Sequence, residues 1–170
     1  MRDINGDEAL PLLKWALNEN LNLRFIEQMP LDAGDAWTRL NLITADEIFN
    51  QLSSEFELTP VDKRGSSPAE EFLVNGGPAT VGIIGSVTRP FCAACDRLRL
   101  TSDGQLRSCL FANNETDLRA ILRNGRLTES EKREDLVKAI TATVKSKLPG
   151  HGINDPSFIK PSRPMSAIGG

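Results

Sequence analysis

The sequence of 170 residues predicts an α/β (α+β) chain. Three observations carry that prediction. Apolar residues recur at helical spacing in some segments and alternate every second residue in others. Two capping boxes, Thr44-Ala-Asp-Glu47 and Thr128-Glu-Ser-Glu131, each open a segment of helical length. Two turn signals, Asn75-Gly-Gly-Pro78 and Asp103-Gly104, separate short strand-like runs.

Taken in order, residues 7–20 read as a helix, with Leu10, Leu13 and Leu17 on one face and Pro11 tolerable only in the first turn. Residues 21–29 read as a strand, because Leu21, Leu23 and Phe25 alternate with polar residues. Residues 32–35 are a loop. The first capping box opens a helix to about Ser54, with Ile48 and Leu52 facing in. Residues 56–61 form a strand, and 62–68 a loop rich in Gly and Ser. Strands 70–74 and 80–87 pair across the Asn75–Pro78 turn, and Gly82 and Gly85 mark close backbone approach or a bulge. Residues 97–101 and 105–110 form a hairpin. Residues 116–124 form a short helix ended by Gly125. The second capping box opens a helix to about Lys147, whose stripe of Leu136, Ile140, Val144 and Leu148 reads as core. Glu134 and Lys138 read as a supporting pair on its solvated face. Residues 151–170 hold three prolines and read as an extended tail, a class of segment that usually frays.

With 39% hydrophobic and 25% charged residues, the chain can build a core and stay in solution. A net charge of −3 argues against a nucleic-acid partner. No apolar run is long enough for a membrane span, and no export or lipidation signal is evident. Thiols of metal-ligand type then fit a reducing cytoplasm.

The three cysteines, Cys92, Cys95 and Cys109, fall in one stretch. Cys-x-x-Cys places two thiolates on one tight turn. A hairpin at Asp103-Gly104 folds Cys109 back beside Arg97 and Leu98. Three thiolates suit a structural zinc with His151, the one histidine, as a fourth ligand. They equally suit an iron–sulfur cluster that leaves one iron open. Three buried thiols, or one disulfide with a thiol left over, explain the organised spacing less well. The residues that follow favour the open cluster. Strand alternation sets Leu98 and Leu100 toward a core and Arg97 and Arg99 together on the other face, with Arg89 and Arg107 nearby. Guanidinium forks match phosphate oxygens.

The run Phe91-Cys92-Ala-Ala-Cys95-Asp96-Arg97-Leu98-Arg99-Leu100-Thr101-Ser102-Asp103-Gly104, followed by Cys109, closely resembles the C-terminal cluster motif of the MoaA family. These are the GTP 3',8-cyclases of molybdenum cofactor biosynthesis. The segment Arg24-Phe-Ile-Glu-Gln-Met29 resembles a barrel strand of that family, and the ending Gly169-Gly170 resembles its tail.

The resemblance implies the C-terminal part of an incomplete TIM-type barrel followed by a small antiparallel-sheet domain that carries a three-Cys iron–sulfur site. It divides the chain into a remnant of the radical SAM barrel over 1–55, a cluster and substrate domain over 56–150, and a tail over 151–170. It makes Cys92, Cys95 and Cys109 ligands of a [4Fe-4S] cluster whose open iron meets the guanine of GTP. Arg97, Leu98 and Arg99 become GTP-binding residues. Arg24 and Met29 fall at the S-adenosylmethionine site, and Gly169 and Gly170 reach the catalytic pocket. Family members also carry Cys-x-x-x-Cys-x-x-Cys, whose second [4Fe-4S] cluster cleaves S-adenosylmethionine; this sequence lacks it. The expected partners are therefore GTP, the missing N-terminal half and, through exposed strand edges, a second copy in a homodimer. The implied reaction of the whole enzyme converts GTP to (8S)-3',8-cyclo-7,8-dihydroguanosine 5'-triphosphate.

Overall fold

The computed structural model describes residues 1–168 except Ala33, Asp35 and Lys63. The loop expected at 32–35, that at 62–68, and Gly169 with Gly170 thus lie wholly or partly outside the described residues. The chain divides into two compact units, Met1–Pro30 with Ala36–Cys95, and Leu31–Asp35 with Asp96–Gly170.

In the first unit, helix α1 (Arg2–Asn5) precedes α2 (Ala9–Asn18), which buries Ala9, Leu13 and Ala16. Pro11 sits in the first turn of α2, where its missing N–H costs no helical bond. Strand β1 (Leu23–Ile26) follows. Helix α3 (Ala45–Ser53) begins at the first capping box, with both reciprocal bonds between Thr44 and Glu47 made. The Thr44 backbone N–H and the Arg2 guanidinium hold the Glu47 carboxyl below its ordinary pKa. Ile48 and Leu52 face the core, as their spacing predicts.

Strands β2 (Leu58–Pro60), β3 (Glu70–Val74) and β4 (Thr80–Ile84) complete a four-stranded sheet in the order β1-β4-β3-β2. Strands β3 and β4 form the expected hairpin, with Asn75, Gly76 and Gly77 all at positive φ in the turn. Strand β1 pairs in parallel with β4, Leu23 opposite Val81 and Ile26 opposite Ile84. One sheet therefore joins residues from both sides of position 55. Its core gathers Leu13, Ile48, Leu52, Phe72, Val81 and Ile83.

In the second unit, β5 (Arg99–Leu100), β6 (Gln105–Arg107) and β7 (Thr116–Asp117) form an antiparallel sheet in chain order. Helices α4 (Leu118–Leu122) and α5 (Glu129–Lys145) pack on β6, and α5 also on β7. Gly104 takes φ 83° in the hairpin, and a Cβ there would stand 2.7 Å from Arg119 Cβ. Both conditions exclude other residues. The whole is a mixed α/β chain with two sheets, and among the described residues neither sheet closes into a barrel.

Three expectations are corrected. The stripe Leu136, Ile140, Val144, Leu148 is not core: Ile140 and Val144 are exposed, and Leu148 is 73% exposed. Steps of four residues wind about 40° off a straight helix face at each step. Along α5, Leu136 and Ala139 are half-buried, and the buried residue is Thr143. It is fixed by a 2.8 Å hydrogen bond between the Thr143 and Thr116 hydroxyls. Likewise Lys138 pairs with Asp135 at 3.4 Å rather than with Glu134. Finally, the tail is folded down. Ile153 and Ile168 are buried, and the Met165 N–H donates to the Leu31 carbonyl at 2.8 Å.

Candidate metal centre

The route to the first two cysteines starts at β4. Gly85 allows the chain to turn back tightly, since a Cβ there would stand 2.7 Å from Arg89 Cβ and 3.2 Å from Ala45 Cβ. The Arg89 N–H donates to the Gly85 carbonyl at 3.1 Å and closes the turn. Pro90 and Phe91 lead into a single 3₁₀ turn, Cys92–Ala94, and the Cys95 N–H donates to the Cys92 carbonyl at 3.1 Å. Residues three apart in such a turn eclipse one another. Cys92 and Cys95 thus share one side of one turn, both half-buried.

Cys109 belongs to the other unit. It follows β6, in a turn closed by the Ala112 N–H donating to the Cys109 carbonyl at 3.2 Å. The Phe111 N–H is directed at the Cys109 sulfur at 3.5 Å. Among the described residues, no group of three His, Cys, Asp or Glu side chains stands gathered to hold a metal. The ring of His151, the alternative fourth ligand, lies 4.7 Å from that of Phe111, and its Nδ1 accepts the Ile153 N–H at 3.2 Å.

The hairpin pairs Arg99 with Arg107 and Leu100 with Leu106. Lys147 extends the pairing beyond the ladder: its ammonium donates to the Arg97 and Ser108 carbonyls at 2.7 Å each. Leu98 and Arg99 are half-buried and Arg97 is exposed. Leu100, expected to face a core, is 61% exposed, because its two-residue strand is the edge of the sheet and the helices cover β6 and β7 instead.

Two of the arginines considered for an anion site, Arg107 and Arg89, are held by carboxylates. Arg107 is 2% exposed, pairs with Glu115, and donates to the Ala112 carbonyl. Arg89 pairs with Asp46 and, at 2.9 Å, with Glu70. Burial works against the Arg89 charge, but these two carboxylates leave its pKa raised. Arg24, on β1, pairs with Glu71 at 2.7 Å, and its stem lies over Gly82, where a Cβ would approach to 2.8 Å. Met29 is half-buried just beyond β1.

Sequence reasoning missed Glu27. It is 1% exposed, and its carboxylate accepts the Ala45 N–H at 2.6 Å, the Val87 N–H at 2.6 Å and the Thr88 N–H at 2.9 Å. The Thr88 hydroxyl donates to it as well. The available signal was parity: Glu27 continues the inward alternation of Leu23 and Phe25. Lys147 carried no such signal in a run of helix-surface charges.

The family described as Molybdenum Cofactor Synthesis C matches residues 21–153. This chain belongs to that family. It is 52% identical to the GTP 3',8-cyclase of Streptomyces coelicolor over 172 residues, covering 100% of this chain and 49% of the relative. It is 53% identical to the GTP 3',8-cyclase of Mycolicibacterium smegmatis over 169 residues, covering 96% of this chain and 45% of the relative. The GTP 3',8-cyclase 2 of Mycobacterium tuberculosis is 49% identical over 170 residues, covering 96% of this chain and 46% of the relative. The chain spans about half the length of the curated relatives it matches, and the matched half is the C-terminal one. No helix among the described residues is long and apolar enough to cross a membrane.

Proposed function

We propose that this chain is the [4Fe-4S]-carrying, GTP-binding half of a GTP 3',8-cyclase, a radical S-adenosylmethionine lyase of molybdenum cofactor biosynthesis. The observation that carries the reading is the identity of about half the residues along the whole chain to proteins of that name, joined to the three-cysteine motif. Cys92, Cys95 and Cys109 are the thiolates that hold the cluster. When bound, such a cluster supplies an iron open to a small molecule. The donor set suits it: two cysteines share one 3₁₀ turn, and a backbone N–H is aimed at the third sulfur. Hydrogen bonds to sulfur are among the contacts that tune such ligands.

Arg97 and Arg99 bind the phosphate or ribose oxygens of GTP, with Leu98 between them. Arg24 and Met29 contact S-adenosylmethionine once the missing half is present, and Gly169 and Gly170 enter the catalytic pocket. The missing half supplies the second cluster, and the isolated chain does not turn over by itself. A docking edge exists for that half. Among the described residues β1 pairs only with β4, and Ile26 and Trp15 are exposed there and on α2.

The test is iron and sulfide content after anaerobic reconstitution, followed by GTP titration under electron–nuclear double resonance. Four irons per chain, roughly, with a nitrogen coupling appearing on GTP addition, is the expected result. Zinc bound with no response to GTP overturns the reading in favour of a structural module. Cys92→Ser and Cys109→Ser should each abolish iron retention. Turnover by the chain without a separate N-terminal half would refute its assignment as a half-enzyme.

A further inference from the structure

The chain places a carboxylate where an apolar side chain would serve packing better. Glu27 stands in the first unit among Ala45, Val87 and Thr88, and is 1% exposed. Burying a charge is unfavourable unless hydrogen bonds replace its water. Here they do: three backbone N–H groups and one hydroxyl converge on its two oxygens. One of those donors opens α3, and the rest belong to the turn that leaves β4.

That turn is the last anchored backbone before the cysteines. Only Arg89, Pro90 and Phe91 separate Thr88 from Cys92. A linker this short has little slack, and the proline fixes one of its dihedrals. Where the 87–88 backbone stands therefore governs where the Cys92–Ala94 turn stands. A second strap runs outside the turn. The Arg64 guanidinium lies 5.2 Å from the Phe91 ring centre, and Arg64 and Arg89 share the Glu70 carboxylate. Those partners are partly exposed, so each is worth less than a buried contact. The inner grip of Glu27 dominates.

We propose that Glu27 is the positioning residue of the cysteine loop, holding Cys92 and Cys95 in place through the N–H groups of Val87 and Thr88. Its relevance to metal binding rests on the reading of those cysteines as ligands; its effect on the loop does not.

The experiment uses the reduced, metal-free chain. Iodoacetamide labelling of each cysteine is followed by mass spectrometry well below the melting temperature, with Cys109 as the internal reference from the other unit. Glu27→Met keeps an unbranched side chain of similar length and replaces the carboxylate with a weakly accepting thioether. It should raise labelling of Cys92 and Cys95 about tenfold, the factor for 1.4 kcal/mol, while Cys109 changes less than about twofold. Glu27→Gln keeps a carbonyl for the Val87 and Thr88 N–H groups and should return both rates to within about threefold of the parent. A rise at all three cysteines alike, or no rise at Cys92 and Cys95, overturns the proposal.

If circular dichroism shows Glu27→Met unfolded, Thr88→Val decides. It removes one donor and should raise the same two rates about threefold; no selective rise overturns the proposal. Iron uptake by the parent chain is measured separately. Its absence would sink the metal reading and leave the labelling result intact.

Discussion

The loop bearing Cys92 and Cys95 and the turn bearing Cys109 are held by opposite charges. In the first unit a buried carboxylate, Glu27, collects backbone N–H groups. In the second unit two cations collect carbonyls: Arg107 takes that of Ala112, and Lys147 takes those of Arg97 and Ser108. The difference follows from what each segment leaves unpaired. A chain entering a helix or a tight turn exposes N–H groups, and an anion meets them. A strand end that outlasts its ladder exposes carbonyls, and a cation meets those. A cysteine-bearing loop with little regular secondary structure needs one or the other.

Four predictions sharpen or break this comparison. The largest effect belongs to Arg107→Leu. It strips the Ala112 carbonyl of this donor, leaves Glu115 with Arg163 as its remaining partner, and should cost about 3 kcal/mol in chemical denaturation. A cost under about 1 kcal/mol would make Arg107 a passive filler rather than an anchor.

Next is Lys147→Met. It should cost about 1.5 kcal/mol and raise iodoacetamide labelling of Cys109 with Cys92 and Cys95 unchanged. Labelling that rises in the first unit instead would break the assignment of Lys147 to the Cys109 turn.

Thr44→Ala comes third, at about 1 kcal/mol, because the capping box loses one arm and the Glu47 N–H loses its acceptor. The same change at Thr128 should cost a similar amount. Equal losses at the two caps would show that helix starts behave alike in both units, so that only the cysteine anchors differ.

The smallest effect is one of pH. Arg163 holds the tail by donating to Asp103 at 2.8 Å and to Glu115 at 2.9 Å. Donation from Arg163, and then from the Thr101 hydroxyl, pulls the Asp103 pKa from 3.8 down to about 2. A depressed carboxyl contributes above its unfolded value and loses that contribution as pH falls through its folded one. Amide exchange at Ala167 and Ile168 should therefore be flat above pH of about 4 and show added exposure, beyond the intrinsic pH trend, toward pH of about 2. Asp103→Asn should remove that added step. A step that persists in Asp103→Asn would move the clamp to Glu115.

Much of the fold was legible because its signals are local. Each capping box lies within four residues, and the Asn75–Pro78 and Asp103-Gly104 turns carry the glycines their positive φ demands. The parity of Leu23 and Phe25 marked β1 as a strand. The α5 stripe misled because a regular spacing of four describes a face that winds around the helix. Which line along α5 meets the sheet depends on Thr116, a residue outside that helix. The tail misled for a similar reason: composition said it would fray, and Arg163 reaching Asp103 holds it.

By itself the sequence determined that most of these elements exist and where α3, β3 and α5 begin, that Cys92 and Cys95 share a turn, and which family the motif belongs to. Those properties rest on neighbours along the chain. Only the tertiary structure decided that Arg89 and Arg107 serve carboxylates, that Leu100 and Leu148 face solvent, and that Glu27 is buried on the N–H groups of Val87 and Thr88. A charge is satisfied by whatever the fold brings within hydrogen-bond reach. Glu27 and its Val87 partner are 60 residues apart in the chain.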